Sequence, residues 1–244
     1  MESPLPDHLK KIRILLADDS EFIRRVVRHI LAGLGFEHIK EVDSGSGVKD
    51  VLETIPFGIL ISDVQMPGIN GIELLRQIRC GQTSAPRDLP VVILTSFSNT
   101  EVLSASLALD VNGFLVKPMK PATVNAKIVQ ALSERILLRD IHTYQSVDTV
   151  LASLNESQVT SHSSGVSIAR PISKHDAQPG HAVEVRIYDL NPGMVLARDI
   201  FLTDGTLLLS AKHSIGRITI NRLQEMREIL KADTCWVVRA ENLA

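Results

Sequence analysis

The sequence predicts an α/β protein: a five-stranded doubly wound parallel sheet, followed by a helical extension, a linker and a small α+β unit. Three observations carry this. Short apolar runs alternate with helix-period segments five times before residue 137, and strands alternating with helices imply a parallel sheet covered on both faces. Four of these runs stop at a polar or charged residue: Asp18, Asp63, Thr95 and Lys117. Hydrophobic residues make up 44% of the chain and aromatic residues only 4%, so the core is aliphatic.

The elements follow in order. Residues 12–17 form a first strand, with Arg13 near its start, where a long side chain reaches solvent. A helix over 21–34 places Phe22, Val26, Val27, Ile30, Leu31 and Leu34 at helical spacing, with Ser20 as its N-cap and glycines at its end. A weak strand at 38–42 leads to a turn at 44–47 and a short helix at 48–55 that Pro56 ends. Residues 59–63 are the third strand. A helix over 71–80 turns Ile72, Leu75 and Ile78 inward, and a polar loop leads to the fourth strand at 90–95. A helix over 99–109 faces the sheet with Leu103, Leu107 and Ala108. The fifth strand, 113–116, ends in Lys117-Pro118, and Pro121 opens a long helix.

Right-handed crossovers bring all five carboxyl ends to one edge of such a sheet, where ligands of open α/β sheets bind. Asp18, Asp19, Asp63, Thr95 and Lys117 therefore converge there. An isolated acid before Pro67-Gly68 reads most simply as a turn former; convergence from four strands outweighs that reading. Three carboxylates together need a cation, and an all-oxygen set suits a hard divalent ion such as Mg²⁺. Metal, ammonium and hydroxyl together suit the equatorial oxygens of a phosphoryl group in transfer, with Asp63 as nucleophile.

The runs Asp18-Asp19-Ser20, Asp63-Val64-Gln65-Met66-Pro67-Gly68-Ile69-Asn70-Gly71, Leu94-Thr95-Ser96 and Lys117-Pro118 resemble the receiver domain of two-component response regulators, a flavodoxin-like fold. The resemblance spans residues 10–137. It implies that Asp63 accepts phosphate from a histidine kinase or histidine phosphotransfer protein. It implies that Asp18, Asp19, Asp63 and the main-chain carbonyl of Gln65 bind Mg²⁺, and that Thr95 and Lys117 contact the phosphoryl group. Phe114 matches the switch aromatic whose rotamer follows Thr95; a plain core Phe is the simpler alternative. The Lys117-Pro118 bond is expected to be cis. Gln65 and Phe97 fall where the family tunes phosphoryl lifetime, and Phe97 is a candidate for limiting water access.

Residues 138–180 read as a helical extension and flexible linker. Apolar spacing continues past the receiver, so the helix from Pro121 is expected to run on towards Leu154 and to help pair two receivers, or else to be solvated. Residues 155–180 are rich in Ser, Gly and Pro. His175-Asp176 within them resembles the hallmark of HD phosphohydrolases, but it stands without the further ligands such a site requires and reads as coincidence.

Residues 181–244 read as a small module: strands at 183–187, 195–201, 206–209 and 235–238, a hairpin turn at Asp204-Gly205, and a helix over 219–230. So small a unit is expected to lean on a partner or a second copy. The run 189–200 with 204–209 resembles an accessory module of HD-type phosphodiesterase response regulators, here without the catalytic domain.

These readings define a phosphorylation-switched signalling protein. Its output passes to a protein partner or through a homodimer, by remodelling of the face from 99 to 138. A DNA-binding transcription regulator and a regulator of a cyclic-dinucleotide phosphodiesterase pathway are the alternatives. Acids balance the Lys and Arg of 181–244 one for one, which disfavours a phosphate-neutralising DNA face. No cluster in 139–244 suggests an enzymatic output. Net charge is −2, giving no case for nucleic acid or a membrane surface. Two distant cysteines, Cys80 and Cys235, fit a reducing cytoplasm. No apolar run approaches the ~18 residues of a membrane helix, and the start lacks a basic-then-apolar leader.

Overall fold

A computed structural model describes residues 6–95, 100–149 and 182–239. A short helix α1 (Asp7–Lys10) precedes five strand–helix units: β1 (Arg13–Ala17), α2 (Glu21–Gly33), β2 (His38–Val42), α3 (Gly45–Leu52), β3 (Ile59–Asp63), α4 (Gly71–Arg79), β4 (Val91–Thr95), α5 (Thr100–Ala108), β5 (Gly113–Val116) and α6 (Pro121–Ser133). The strands form one parallel sheet in the order β2-β1-β3-β4-β5. Alternate residues of each strand serve opposite faces. Ile14, Leu16, Ile61 and Leu94 pack with Val27 and Leu31 of α2 and Val124 and Ile128 of α6. Leu15, Leu60, Ile93 and Phe114 pack on the other side with α3, α4 and α5.

Local chemistry sets the helix starts. Ser20 and Asn70 cap α2 and α4, their side-chain oxygens accepting from the N–H groups of Ile23 and Glu73. Ser44 does the same for Gly47, so α3 begins at Gly45, inside the turn expected at 44–47 and ahead of the helix expected at 48–55, and it ends at Leu52. Phe22, placed on the apolar stripe of α2 by spacing, is 71% exposed. It sits in the first turn, ahead of Val27 and Leu31, the two residues of α2 that are buried.

The helix from Pro121 does not run on towards Leu154. α6 ends at Ser133, and Glu134 is extended, with ψ 132°. The Glu134 carboxylate is held by Arg222 and Asn221, which draws the chain off the helix axis. A one-turn helix α7 (Ile141–Gln145) follows, packed against α4. Arg139 and Tyr144 both donate to Oδ2 of Asp110, at 3.0 and 2.8 Å. Thr149 then donates to Glu73 at 2.6 Å, and its carbonyl accepts from Asn70. The expected helix to Leu154 as far as it involves residues 150–154, the linker reading of 155–180 and His175-Asp176 lie outside the described residues.

The C-terminal unit holds β6 (Val183–Arg186), β7 (Met194–Leu196), β8 (Ile200–Phe201), β9 (Leu207–Leu209), α8 (Arg217–Glu225) and β10 (Thr234–Arg239). Its sheets are antiparallel, β6-β10-β7 and the hairpin β8-β9, turned at Gly205 with φ +88°. The strand expected over 195–201 is broken at 197–199. The Ala197 N–H still donates to Trp236, but the Asp199 carboxylate takes the N–H of Ala211 and folds the chain into the hairpin. The helix expected over 219–230 is α8 plus a separate 3-10 turn at Arg227–Ile229. The apolar interior of this unit is continuous with that beneath α4 and α5, so it leans on the first half of its own chain.

Candidate functional site

The parallel register puts the ends of β1, β3, β4 and β5 side by side, with Asp63 opposite Leu94 and Thr95 opposite Val116. Asp18, the residue after β1, is fully buried; Asp63 and Thr95 are nearly so. Lys117 follows β5, and its N–H donates to the Thr95 carbonyl at 2.8 Å. Its ammonium donates to Oδ2 of Asp18 at 2.8 Å and to Oδ1 of Asp63 at 2.9 Å. Asp19 is exposed. Carboxylate oxygens of Asp18, Asp19 and Asp63 lie within 4.8 Å of one another. The structure thus brings together the five residues that the sequence places at the sheet edge.

Burial pushes the Asp63 carboxyl above its ordinary value; the Lys117 ammonium pulls against this and the Asp18 carboxylate adds to it. Burial works against the charge on Lys117, but the two carboxylates outweigh it and hold the ammonium above its ordinary value. The edge is thus a compact acidic cluster around one fixed positive charge. Its donor set is all oxygen, which fits a hard divalent cation. Gln65 is exposed on the loop after β3. Phe114 pairs with Ile93, so it shares a sheet face with Thr95, two residues further on; it is buried, 5% exposed. The Lys117-Pro118 bond is cis, as the resemblance implies. Phe97 lies outside the described residues.

Sequence reasoning missed the supports of this edge. Arg24 donates to the main-chain oxygens of Asp18 and Asp19, and the Ser20 N–H donates to Asp18 at 2.9 Å. Gly71 lies so close to the main chain of Asp63 that no side chain fits there, and its N–H closes the loop onto the Val64 carbonyl. Asn70 has a double role, its side-chain oxygen capping α4 and its amide nitrogen donating to the Thr149 carbonyl 79 residues away, and sequence spacing carries no trace of the second contact.

Residues 14–129 match the family model described as the response regulator receiver domain. This chain belongs to that family and is a two-component signalling regulator. It is similar to the chemotaxis protein CheY-3 of Vibrio cholerae, 34% identical over 119 residues, which covers 49% of this chain and 90% of that protein. It is also similar to the chemotaxis protein CheY of Pseudomonas aeruginosa, 32% identical over 125 residues, 51% of this chain and 98% of that one. Among solved structures, the chemotaxis response regulator CheY4 of Vibrio cholerae is 27% identical, with a TM-score of 0.45, over 50% of this chain and 98% of that chain. Among the described residues, no helix is long and apolar enough to cross a membrane.

Proposed function

We propose that Asp63 is the phosphoacceptor of this regulator. The observation that carries the reading is the Lys117 ammonium shared between Asp18 and Asp63, with Asp19 close by. A carboxylate oxygen of Asp63 attacks phosphorus. The bond from phosphorus to the imidazole nitrogen of the donor breaks, and its electrons stay on that nitrogen. The donor is a histidine kinase or a histidine phosphotransfer protein. Lys117 and the Thr95 hydroxyl hold the phosphoryl oxygens in place. Phe114, on the same sheet face, follows Thr95. Asp18, Asp19, Asp63 and the carbonyl of Gln65 would hold Mg²⁺, which when bound offsets the charge shared between carboxylates and phosphoryl group.

The output we read is protein–protein, through the α5–β5–α6 face or a dimer, with residues 181–244 as an interaction module akin to the accessory module of HD-type phosphodiesterase regulators. The run 189–200 supports that likeness. The domain division at about 137 and 181 is part of the same reading. A DNA-binding output is less well supported: among the described residues of this unit, α8 is the one α-helix, and a helix-turn-helix needs two.

The test is incubation with acetyl phosphate and Mg²⁺, followed by intact-mass measurement. A gain of one phosphoryl group, absent in Asp63→Asn, is expected. A gain that persists in that variant would place the acceptor elsewhere.

A further inference from the structure

We propose that residues 139–149 are a strap that holds the loop after β3, and that Thr149, at the end of this strap, is a positioning residue for chemistry at Asp63. The proposal rests on Asp63 being the phosphoacceptor.

The strap lies beyond residue 129, where the match to the receiver family ends. It is fastened at both ends. At the first, Arg139 and Tyr144 share Oδ2 of Asp110, and Tyr144 is fully buried. Between the ends, Arg76 of α4 donates to the Gln145 carbonyl at 3.4 Å, and Val147 packs against the apolar interior. At the second, the Thr149 hydroxyl donates to Oε2 of Glu73 at 2.6 Å, and the Asn70 amide donates to the Thr149 carbonyl at 3.2 Å. Asn70 and Thr149 are both buried, 9% and 6% exposed.

Asn70 is the N-cap of α4 and Glu73 its third residue. In a capping box the acid at that third position reaches back to the N–H of the cap. Here the Glu73 carboxylate takes Thr149, Arg76 and Gln77. The Asn70 oxygen caps the helix while its amide holds the strap. A hydroxyl-to-carboxylate bond of 2.6 Å is of the strong, charge-assisted kind, and burial raises the cost of breaking it. The route to the site is short. Asn70 ends the loop that leaves Asp63 and carries Gln65. The next residue, Gly71, lies against the Asp63 carbonyl and closes onto the Val64 carbonyl at 2.9 Å. Thr149 therefore reaches Asp63 through one hydrogen bond, one peptide step and one van der Waals contact. A reaction between held groups is sensitive to small displacements of the nucleophile, so a segment outside the receiver sets how firmly Asp63 is held.

The experiment follows phosphorylation of the full chain by acetyl phosphate and Mg²⁺ through intact mass. It compares wild type, Thr149→Val, Thr149→Ser, Asn70→Ser and the double variant Asn70→Ser/Thr149→Val, with Asp63→Asn as control. Asn70→Ser keeps a capping oxygen and removes the amide that holds Thr149. Urea unfolding identifies the variants that are fully folded in the assay, and hydrogen exchange of residues 64–71 is read without any phosphoryl donor. The strap predicts that Thr149→Val and Asn70→Ser are phosphorylated roughly tenfold more slowly and exchange the Gly71 amide faster than wild type. Thr149→Ser keeps the hydroxyl and should match wild type. The double variant should be no slower than the slower single variant, because both changes cut one connection. If one single variant fails to fold, the other carries the test. Folded variants that are less stable yet phosphorylated at the wild-type rate would make the strap a brace only and overturn the proposal, as would equal slowing in Thr149→Ser and Thr149→Val. No phosphorylation of wild type at Asp63 overturns the phosphoacceptor reading and the positioning role with it.

Discussion

The α-carbon of Gly71 rests against the main-chain carbonyl of Asp63, so closely that an added methyl would overlap its oxygen. The first residue of α4 thus buttresses the end of β3. Because the obstacle is backbone, Gly71→Ala forces strand or helix to move. Overpacking of this kind costs about 1–3 kcal/mol. On the proposed reading of Asp63 as phosphoacceptor, a displaced carboxylate slows a positioned reaction, so phosphorylation by acetyl phosphate should fall roughly ten- to a hundredfold. Urea unfolding and intact-mass kinetics check both. A variant with wild-type stability and rate would show that the loop absorbs the methyl.

The carboxylate cluster makes metal dependence measurable without any phosphoryl donor. Mg²⁺ at about a hundred times its dissociation constant should stabilise the folded chain by about 2.7 kcal/mol. Asp19→Asn should lose most of that gain, because it removes one carboxylate of the three. Lys117→Met leaves Asp18 and Asp63 without their shared ammonium. Its metal-free form should therefore be less stable than wild type, and its gain from Mg²⁺ larger. Thermal melts with Mg²⁺ and with chelator test this. Equal gains in all three proteins would remove the acidic cluster as the metal site.

What was legible in the sequence was what periodicity and strand ends encode. The apolar runs ending at Asp18, Asp63, Thr95 and Lys117 reveal both sheet and site, because a parallel sheet aligns its carboxyl ends whatever the loops do. Contacts between distant segments were not legible. The stop of α6 at Ser133 coincides with Glu134 meeting Arg222, 88 residues away, a contact that no local signal announces. Arg79 and Arg222 could have been suspected. Arg79 continues the stripe of Ile72 and Leu75, and Arg222 lies one turn beyond buried Ile218. A charged residue on an apolar stripe is the trace that a buried guanidinium leaves in sequence. Phe22 is the opposite case, since spacing alone does not tell a buried stripe from an exposed first turn.

His213 should make stability depend on acid. Its Nδ1 lies 3.2 Å from Arg139, and burial, followed by the charge on Arg139, lowers its pKa to about 3. The sign follows from linkage: the unfolded chain binds the proton near pH 6.5, whereas the folded chain refuses it until about 3. The contribution is therefore complete above about pH 6.5 and shrinks as pH falls, by up to about 1.4 kcal/mol per pH unit. His213→Gln, which cannot take the proton, should flatten this part of the profile. Denaturant midpoints from pH 7.5 to 5 provide the comparison. Parallel curves would mean that His213 is protonated within the folded chain.

Arg79 anchors the opposite edge of the sheet from the site. Its guanidinium is fully buried and makes five hydrogen bonds, to the main-chain oxygens of Leu109, Arg87, Leu89 and Asp110 and to the side-chain oxygen of Asn112. All five acceptors are neutral. Burial lowers its pKa to about 10, so it stays charged at neutral pH. Asn112 in turn accepts from the N–H at the start of β4, so one side chain ties α4 to the loops that enter β4 and β5. Arg79→Met strands those oxygens without a donor, at an expected cost of about 3–5 kcal/mol. Arg79→Lys keeps the charge but cannot span a planar five-donor pattern, so it should recover less than half of the loss. The acidic edge is remote from this anchor. At low temperature, where Arg79→Lys remains folded, its phosphorylation rate should stay within about twofold of wild type while its urea midpoint drops. Full rescue by lysine would show that charge, not fork geometry, holds these loops.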